Sequence, residues 1–342
     1  DSRQSRGLGD VYKRQSIGFW PGGDRDGNPF VDAKTTWHVA ERLRMTLLRC
    51  YRREIRDLRR RITFKHVSSQ LDLLQDQIEF AMLHPDDQRL SVVSLSEKLE
   101  EVAVWVEEHS NGLYLSKIRG FQFKLRLFGL HFASLDIRQD SRVIQSALRS
   151  ALSAGGYELA VYEAMAPSEK VDFLMSADVP ADVDGLDEER HQDVLESLRV
   201  MARIQDHNGP RSCHRFIISN CRGIIDIAAV VGLARMAGVW EKMELDVVPL
   251  FETIDDLANA QSEVQLMYAH PIYRTHLSAR KEKQTVMLGF SDGTKDGGYL
   301  QANWSIYQAK RRLTELSRSA GVTVLFFDGR GGPPARGGGN TH

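Results

Sequence analysis

Six side chains in this sequence combine type and spacing in a way that suits a small polyanion: Arg138, Glu252, Asp292, Lys295, Arg330 and Arg336. Glu252 and Asp292 each close an apolar run, where a carboxylate leaving water needs a partner. Two carboxylates with waters and substrate oxygens suit Mg2+ or Mn2+, hard cations that seldom require a full protein cage. Either carboxylate could instead cap a helix. Thr253 is the better cap ahead of Ile254-Asp255-Asp256, which leaves Glu252 for a cation. Lys295 follows Asp292 by three residues inside Gly289–Gly298, a glycine-rich segment resembling a phosphate cradle but lacking P-loop spacing; the alternative is a surface lysine on a glycine turn. Arg330 and Arg336 lie six apart in a second glycine-rich segment, Gly329–Gly338, whose backbone N–H groups can approach an anion closely. With Arg138 they form a cationic set that would hold phosphate and carboxylate together and stabilise an enolate. A further cluster, Pro21–Pro29, reads either as a second anion contact or as a purely structural turn.

The elements that must position these groups are short apolar runs alternating with helical patterns. The runs are Leu130–Ile137, Phe216–Ile218, Val247–Phe251, Val286–Phe290 and Val322–Phe327, with helical patterns at Ile225–Ala237, Asp255–Met267 and Leu300–Ser319. Such alternation predicts an α/β chain, predominantly α-helical, with about five parallel strands under covering helices. Each run delivers polar groups at its C-terminal end: Arg138-Gln139-Asp140, Ser219-Asn220, Glu252-Thr253, Ser291-Asp292 and Asp328-Gly329-Arg330. Parallel barrels place their active sites there, and open doubly wound sheets do likewise.

Upstream, residues 34–62 predict a long helix with Leu43, Leu47, Tyr51, Ile55, Leu58 and Ile62 on one face. Its arginines, from Arg42 to Arg60, alternate with Glu41, Glu54 and Asp57, the pattern of a solvated face rather than a nucleic-acid surface. Helices are also predicted over 66–83 and 94–109, the latter capped by Ser94 or Ser96, and residues 176–193 read as an exposed acidic loop.

The net charge of −1 gives no global attraction to nucleic acid or membrane, and no apolar run reaches membrane-spanning length. Three cysteines, Cys50, Cys213 and Cys221, without a C-x-x-C pair, fit a reducing cytoplasm. Residues 10–15, Asp-Val-Tyr-Lys-Arg-Gln, resemble the translated end of a transposase-based sequencing adapter. Residues 1–15 are therefore expected to be non-native read-through, followed by a helical segment over 16–119 and the strand-bearing region over 120–342.

Five segments in order resemble the phosphoenolpyruvate carboxylase family: Gly22–Pro29 (GGDRDGNP), Leu135–Ser141 (LDIRQDS), Pro249–Leu257 (PLFETIDDL), Gly289–Gly298 (GFSDGTKDGG) and Gly329–Gly338 (GRGGPPARGG). The resemblance implies an α-rich protein around an eight-stranded barrel, of which this chain would be an internal fragment carrying an incomplete parallel β/α (TIM-like) barrel. It implies a lyase that converts phosphoenolpyruvate and bicarbonate to oxaloacetate and phosphate through carboxyphosphate and an enolate, with Mg2+ or Mn2+. Glu252 and Asp292 would hold the metal. Arg138 and Lys295 would contact phosphoenolpyruvate or carboxyphosphate, and Arg330 and Arg336 would stabilise phosphate, CO2 and the enolate. The parent would be a cytoplasmic homotetramer without nucleic-acid or membrane partners. Departures are Asp328 where most members carry histidine, Ala335 where they carry glycine, and the stiffening Pro333 and Pro334. The family's T-A-H-P-T histidine segment does not occur in the sequence, so the fragment alone is expected to be inactive, and its open strand edges to promote aggregation. Two alternatives are another Mg-dependent phosphoenolpyruvate or pyruvate barrel enzyme, and a non-catalytic anion-binding module.

Overall fold

A computed structural model describes residues 17–180 and 183–329. These residues divide into two compact units, one formed by residues 17–21, 34–135 and 203–213, the other by 22–33, 136–180, 183–202 and 214–329.

The first unit is helical. After a short strand β1 (Gly18–Phe19) come α1 (Ala33–Arg61), α2 (Lys65–Leu83), α3 (Val92–His109), α4 (Leu115–Phe128) and a second short strand, β2 (Ser134–Leu135), which pairs in parallel with β1. The expected stripe on α1 is buried from Leu47 through Tyr51, Ile55 and Leu58, and packs with Leu71, Leu74, Leu99 and Phe121 in one apolar core. The arginine face of α1 is turned to solvent and to α2, with Arg59 paired to Asp72 and Gln75 and Arg52 to Glu79. The cap of α3 differs from expectation. Ser91, in extended backbone, accepts the Ser94 N–H at 3.0 Å while Ser94 returns the bond, so Ser94 is the third helical residue of a capping box. Ser96 donates instead to the Val92 carbonyl.

The second unit carries the sheet. Strands β3 (Ile137–Asp140), β4 (Arg215–Ser219), β5 (Asp246–Phe251), β6 (Lys283–Gly289) and β7 (Thr323–Gly329) lie side by side in chain order, all parallel. The helices between them are α5 (Ser141–Ala154), α6 (Leu159–Ala164), α7 (Pro167–Met175), α8 (Glu189–Asn208, which runs on into the first unit), α9 (Ile224–Met236), α10 (Ile254–Ala269), α11 (Pro271–Ala279) and α12 (Ser291–Ser319). The strand order never reverses, unlike that of a doubly wound sheet. The run Leu130–Ile137 is not one strand: it is divided between β2 and β3, with Asp136 between them. The acidic stretch expected as a loop to residue 193 becomes helical at Glu189, and residues 181–182 within it lie outside the described residues.

Near-continuous apolar runs bury β4 and β5 on both faces. Helix α9 is buried almost throughout, from Asp226 to Met236, so its sequence shows no polar stripe. A helix apolar all round must be covered on its outer side, and α5 and α7 pack there. Gly232 permits the contact with α7, since a Cβ would lie 3.1 Å from the Leu174 side chain.

His276 on α11 is packed against Trp240 and Tyr273. Burial, with Arg280 adding to it against the opposing pull of Asp246, moves its pKa down from the usual 6.5 to about 4. The unfolded chain therefore takes up a proton before the native one does. Stability from this group is complete above about pH 6.5 and is lost as pH falls toward 4, by roughly 3 kcal/mol at most. Denaturant midpoints measured across that interval should fall with acid, and His276→Phe should flatten the slope.

Candidate functional site

The C-terminal ends of β3, β5 and β6 bring together three of the residues singled out from the sequence. Arg138 projects from β3. Its Nε donates to Asp24 Oδ1 at 2.7 Å, its Nη2 to Asp24 Oδ2 at 2.9 Å, and Nη1 lies 3.3 Å from Asp26 Oδ2. The Gly22–Pro29 segment is laid along β3 by backbone bonds, Arg138 N–H to Gly23 O at 3.0 Å and Arg25 N–H to Arg138 O at 2.9 Å. Gly22 and Gly27 turn that segment with φ of 87° and 69°, which a side chain would oppose. Asp24 and Asp26 therefore face the arginine of β3, while Arg25 is paired with Asp193 at 3.2 Å. Burial alone would lower the Arg138 pKa, but the Asp24 hydrogen bonds and the charges of Asp24, Asp26 and Glu252 outweigh it and raise the pKa overall.

Glu252 follows β5 and is half-buried. As expected, Thr253 caps α10, accepting the Asp256 N–H at 3.1 Å in a reciprocal capping box, and Glu252 stays out of the cap. Glu252 Oε2 accepts the backbone N–H of Asn220 at 3.0 Å. Asn220 has a left-handed φ of 51°, and its carbonyl accepts the Ser141 hydroxyl at 2.7 Å, so the ends of β3, β4 and β5 are tied in series. Burial raises the Glu252 pKa. The Asn220 bond and Arg138 oppose that rise, while the charges of Asp292 and Asp26 add to it. Two glycines allow the close wrapping of this carboxylate's residue. A Cβ on Gly289 would stand 3.1 Å from Glu252 Cγ, and one on Gly293 3.3 Å from its carbonyl oxygen.

Asp292 and Lys295 sit one helical turn apart and are paired at 2.5 Å. Their segment is not the glycine loop expected from the sequence. It forms the first turns of α12, which begins at Ser291 and kinks at Gly298, φ 78° and ψ 167°. Thr294 bonds back to the Phe290 carbonyl, and Asp296 accepts the Ile254 N–H at the start of α10. Asp328, the residue that departs from histidine, is paired with Lys310 at 2.8 Å. Arg330 and Arg336, with Pro333, Pro334 and Ala335, lie outside the described residues, as do residues 1–15.

Asp24 and Asp26 were visible in the sequence only as members of a glycine-rich cluster, and the roles of Asn220 and Ser141 left no sequence signal, because Asn220 acts through its own backbone N–H and carbonyl and Ser141 through a bond to that distant carbonyl. No group of three or more His, Cys, Asp or Glu converges as a metal site among the described residues. Burial raises the Glu252 pKa and the charge of Asp292 adds to it, so these two carboxylates lie within electrostatic reach of each other. That fits a hard divalent cation taking its remaining ligands from water and substrate, and does not fit a closed cage.

The sequence matches the family described as Phosphoenolpyruvate carboxylase over residues 10–102 and 74–342. It is 28% identical to a phosphoenolpyruvate carboxylase of Gloeobacter violaceus, over 95% of this chain and 41% of that protein. It is 31% identical to one of Xanthomonas oryzae pv. oryzae, over 95% and 40%, and 30% identical to one of Corynebacterium diphtheriae, over 95% and 42%. The chain thus spans about two fifths of the length of these curated relatives.

Proposed function

Because this chain belongs to the phosphoenolpyruvate carboxylase family, we propose that the protein it forms part of carboxylates phosphoenolpyruvate with bicarbonate to oxaloacetate and phosphate. The observation that carries this reading is the meeting of Arg138, Glu252 and Asp292, with Lys295 on Asp292, at the ends of the parallel strands β3, β5 and β6. The five strands are then the first part of a parallel β/α barrel, their unreversed order being the order in which a barrel winds.

In this proposal Glu252 and Asp292 hold Mg2+ or Mn2+, which supplies Lewis-acid stabilisation of negative oxygen. Arg138 and Lys295 bind the phosphate and carboxylate oxygens of phosphoenolpyruvate, exchanging Asp24, Asp26 and Asp292 for substrate as partners. A bicarbonate oxygen attacks phosphorus, the bond from phosphorus to the enol oxygen breaks, and carboxyphosphate and pyruvate enolate result. Carboxyphosphate releases CO2 and phosphate, the phosphate keeping the bicarbonate proton, and the enolate methylene carbon attacks CO2. Arg330 and Arg336 hold the phosphate and the enolate charge during these steps. The 342 residues contain no T-A-H-P-T histidine, and by themselves they are proposed to bind rather than to turn over.

No described helix is long and apolar enough to cross a membrane, and Cys50, Cys213 and Cys221 are free thiols. A cytoplasmic homotetramer is the proposed setting, to be checked by sedimentation.

The test is oxaloacetate formation by the full-length protein, followed with malate dehydrogenase and NADH. Strict dependence on bicarbonate and on Mg2+ or Mn2+ is expected. Turnover of phosphoenolpyruvate that ignores bicarbonate would sink the proposal and favour another phosphoenolpyruvate or pyruvate enzyme. In the same assay Arg330→Gln should lower kcat about a hundredfold, roughly 3 kcal/mol of transition-state stabilisation. A nearly unchanged kcat removes Arg330 from its role.

A further inference from the structure

A cavity of about 380 Å3, which Arg138, Glu252 and Asp292 do not line, is bounded by α5, α6, α7 and the loop from β4 to α9. Four cations face it, Arg142, Arg149, Lys170 and Arg222, against two carboxylates, Glu163 and Asp226. Neither carboxylate neutralises the set. Glu163 is shared between Arg149 at 2.6 Å and Lys170 at 3.5 Å. Asp226 is buried, with its oxygens on Gln145 Nε2 and on the backbone N–H of Arg222, both at 2.8 Å. Arg142 is held by Asp140, just outside the cavity, at 2.6 Å.

Arg222 is the surplus charge: among the described residues its guanidinium makes no salt bridge. Its backbone is nevertheless fixed. Asp226 takes its N–H, Asn220 two residues earlier is held by Ser141, and Gly223 after it adopts a φ of 147° against Glu263, which caps Ile224. The tethered backbone adds no ordering cost when an anion arrives, and only the exposed guanidinium arm, which is in no salt bridge but within electrostatic reach of Asp226, has to be immobilised. Lys170 lines the cavity over the Tyr162 ring at 5.2 Å, mostly shielded from solvent, with its Nζ donating to the Glu163 carbonyl at 3.2 Å.

We propose that this cavity is a second anion site that takes a small dianion of the phosphate class, gripped by the Arg222 fork and by Lys170.

The experiment is calorimetric titration of the full-length protein with inorganic phosphate at constant ionic strength. The proteins compared are the unsubstituted chain, Arg222→Gln, Lys170→Gln and Arg138→Gln, each checked for an unchanged far-ultraviolet spectrum. Arg222 is exposed, so its replacement leaves the fold intact. The expected result is saturable binding, weakened at least tenfold by Arg222→Gln and by Lys170→Gln and retained in Arg138→Gln. Binding that survives both cavity substitutions, or that vanishes only in Arg138→Gln, overturns the proposal and places the phosphate at the strand-end cluster. Because the readout is phosphate affinity, its failure is distinct from any failure of the carboxylase reading, which is tested by bicarbonate dependence.

Discussion

Replacing Glu252 by glutamine should remove Mn2+ binding from this chain and lower kcat/KM of the full-length enzyme by two to three orders of magnitude, roughly 3–4 kcal/mol. Glutamine keeps the size of the side chain and an oxygen for the Asn220 N–H, so the ends of β4 and β5 stay tied, and only the negative charge is lost. Burial, and after it the charges of Asp292 and Asp26, hold the Glu252 carboxyl above the usual carboxylate range. Protons and Mn2+ therefore compete for it, and Mn2+ affinity in the unsubstituted chain should fall as pH drops into that raised range. Enhancement of water-proton relaxation by Mn2+ reads both effects. Equal affinity in Glu252→Gln would take Glu252 out of the metal set. Gly289→Ala should give a weaker version of the same loss, because its Cβ presses on Glu252 without removing the charge.

The second large effect concerns the sheet that carries the site. Phe216→Ala should destabilise the second unit by about 3–5 kcal/mol. Phe216 is 1% exposed, on a strand flanked on both sides, with Ile137 and Val247 as its register partners. No neighbour can collapse into the space without shifting a strand. Hydrogen exchange of β4 amides, measured against exchange in the first unit, isolates the loss to the sheet. A change below 1 kcal/mol would mean that β4 is not the packed centre described here.

What the sequence disclosed, and what it withheld, follows from the range of each interaction. The cap at Thr253 was legible because its partner Asp256 is three residues away, and the apolar strands were legible because burial on both faces excludes polar residues from a run. The strand-end positions of Arg138, Glu252 and Asp292 followed from the same runs. Their partners did not. Asp24 lies 114 residues from Arg138, and nothing local distinguishes it from the aspartates beside it. Asn220 acts through its amide and Ser141 through another residue's carbonyl, contributions that residue type does not encode. The start of α12 was hidden by its glycines: Gly293, Gly297 and Gly298 suggest a loop, yet only Gly298 breaks the helix. Helices α5 to α8 and α11 follow partly from tertiary demand, as with the cover over α9, and their own patterns are short or broken by polar residues.

The cations of the strand-end cluster carry their own counter-ions, Asp24 and Asp26 on Arg138 and Asp292 on Lys295. Occupancy of such a site is an exchange of one set of ion pairs for another, not the neutralisation of bare charge. Ionic strength then weakens both sides of the equilibrium together, and affinity should depend on salt far less than the count of arginines and lysines suggests. The same balance makes the strand-end cluster a poor trap for chloride or sulfate. A ligand is retained only if it replaces several internal bonds at once, so discrimination rests on the number of groups it presents rather than on its charge.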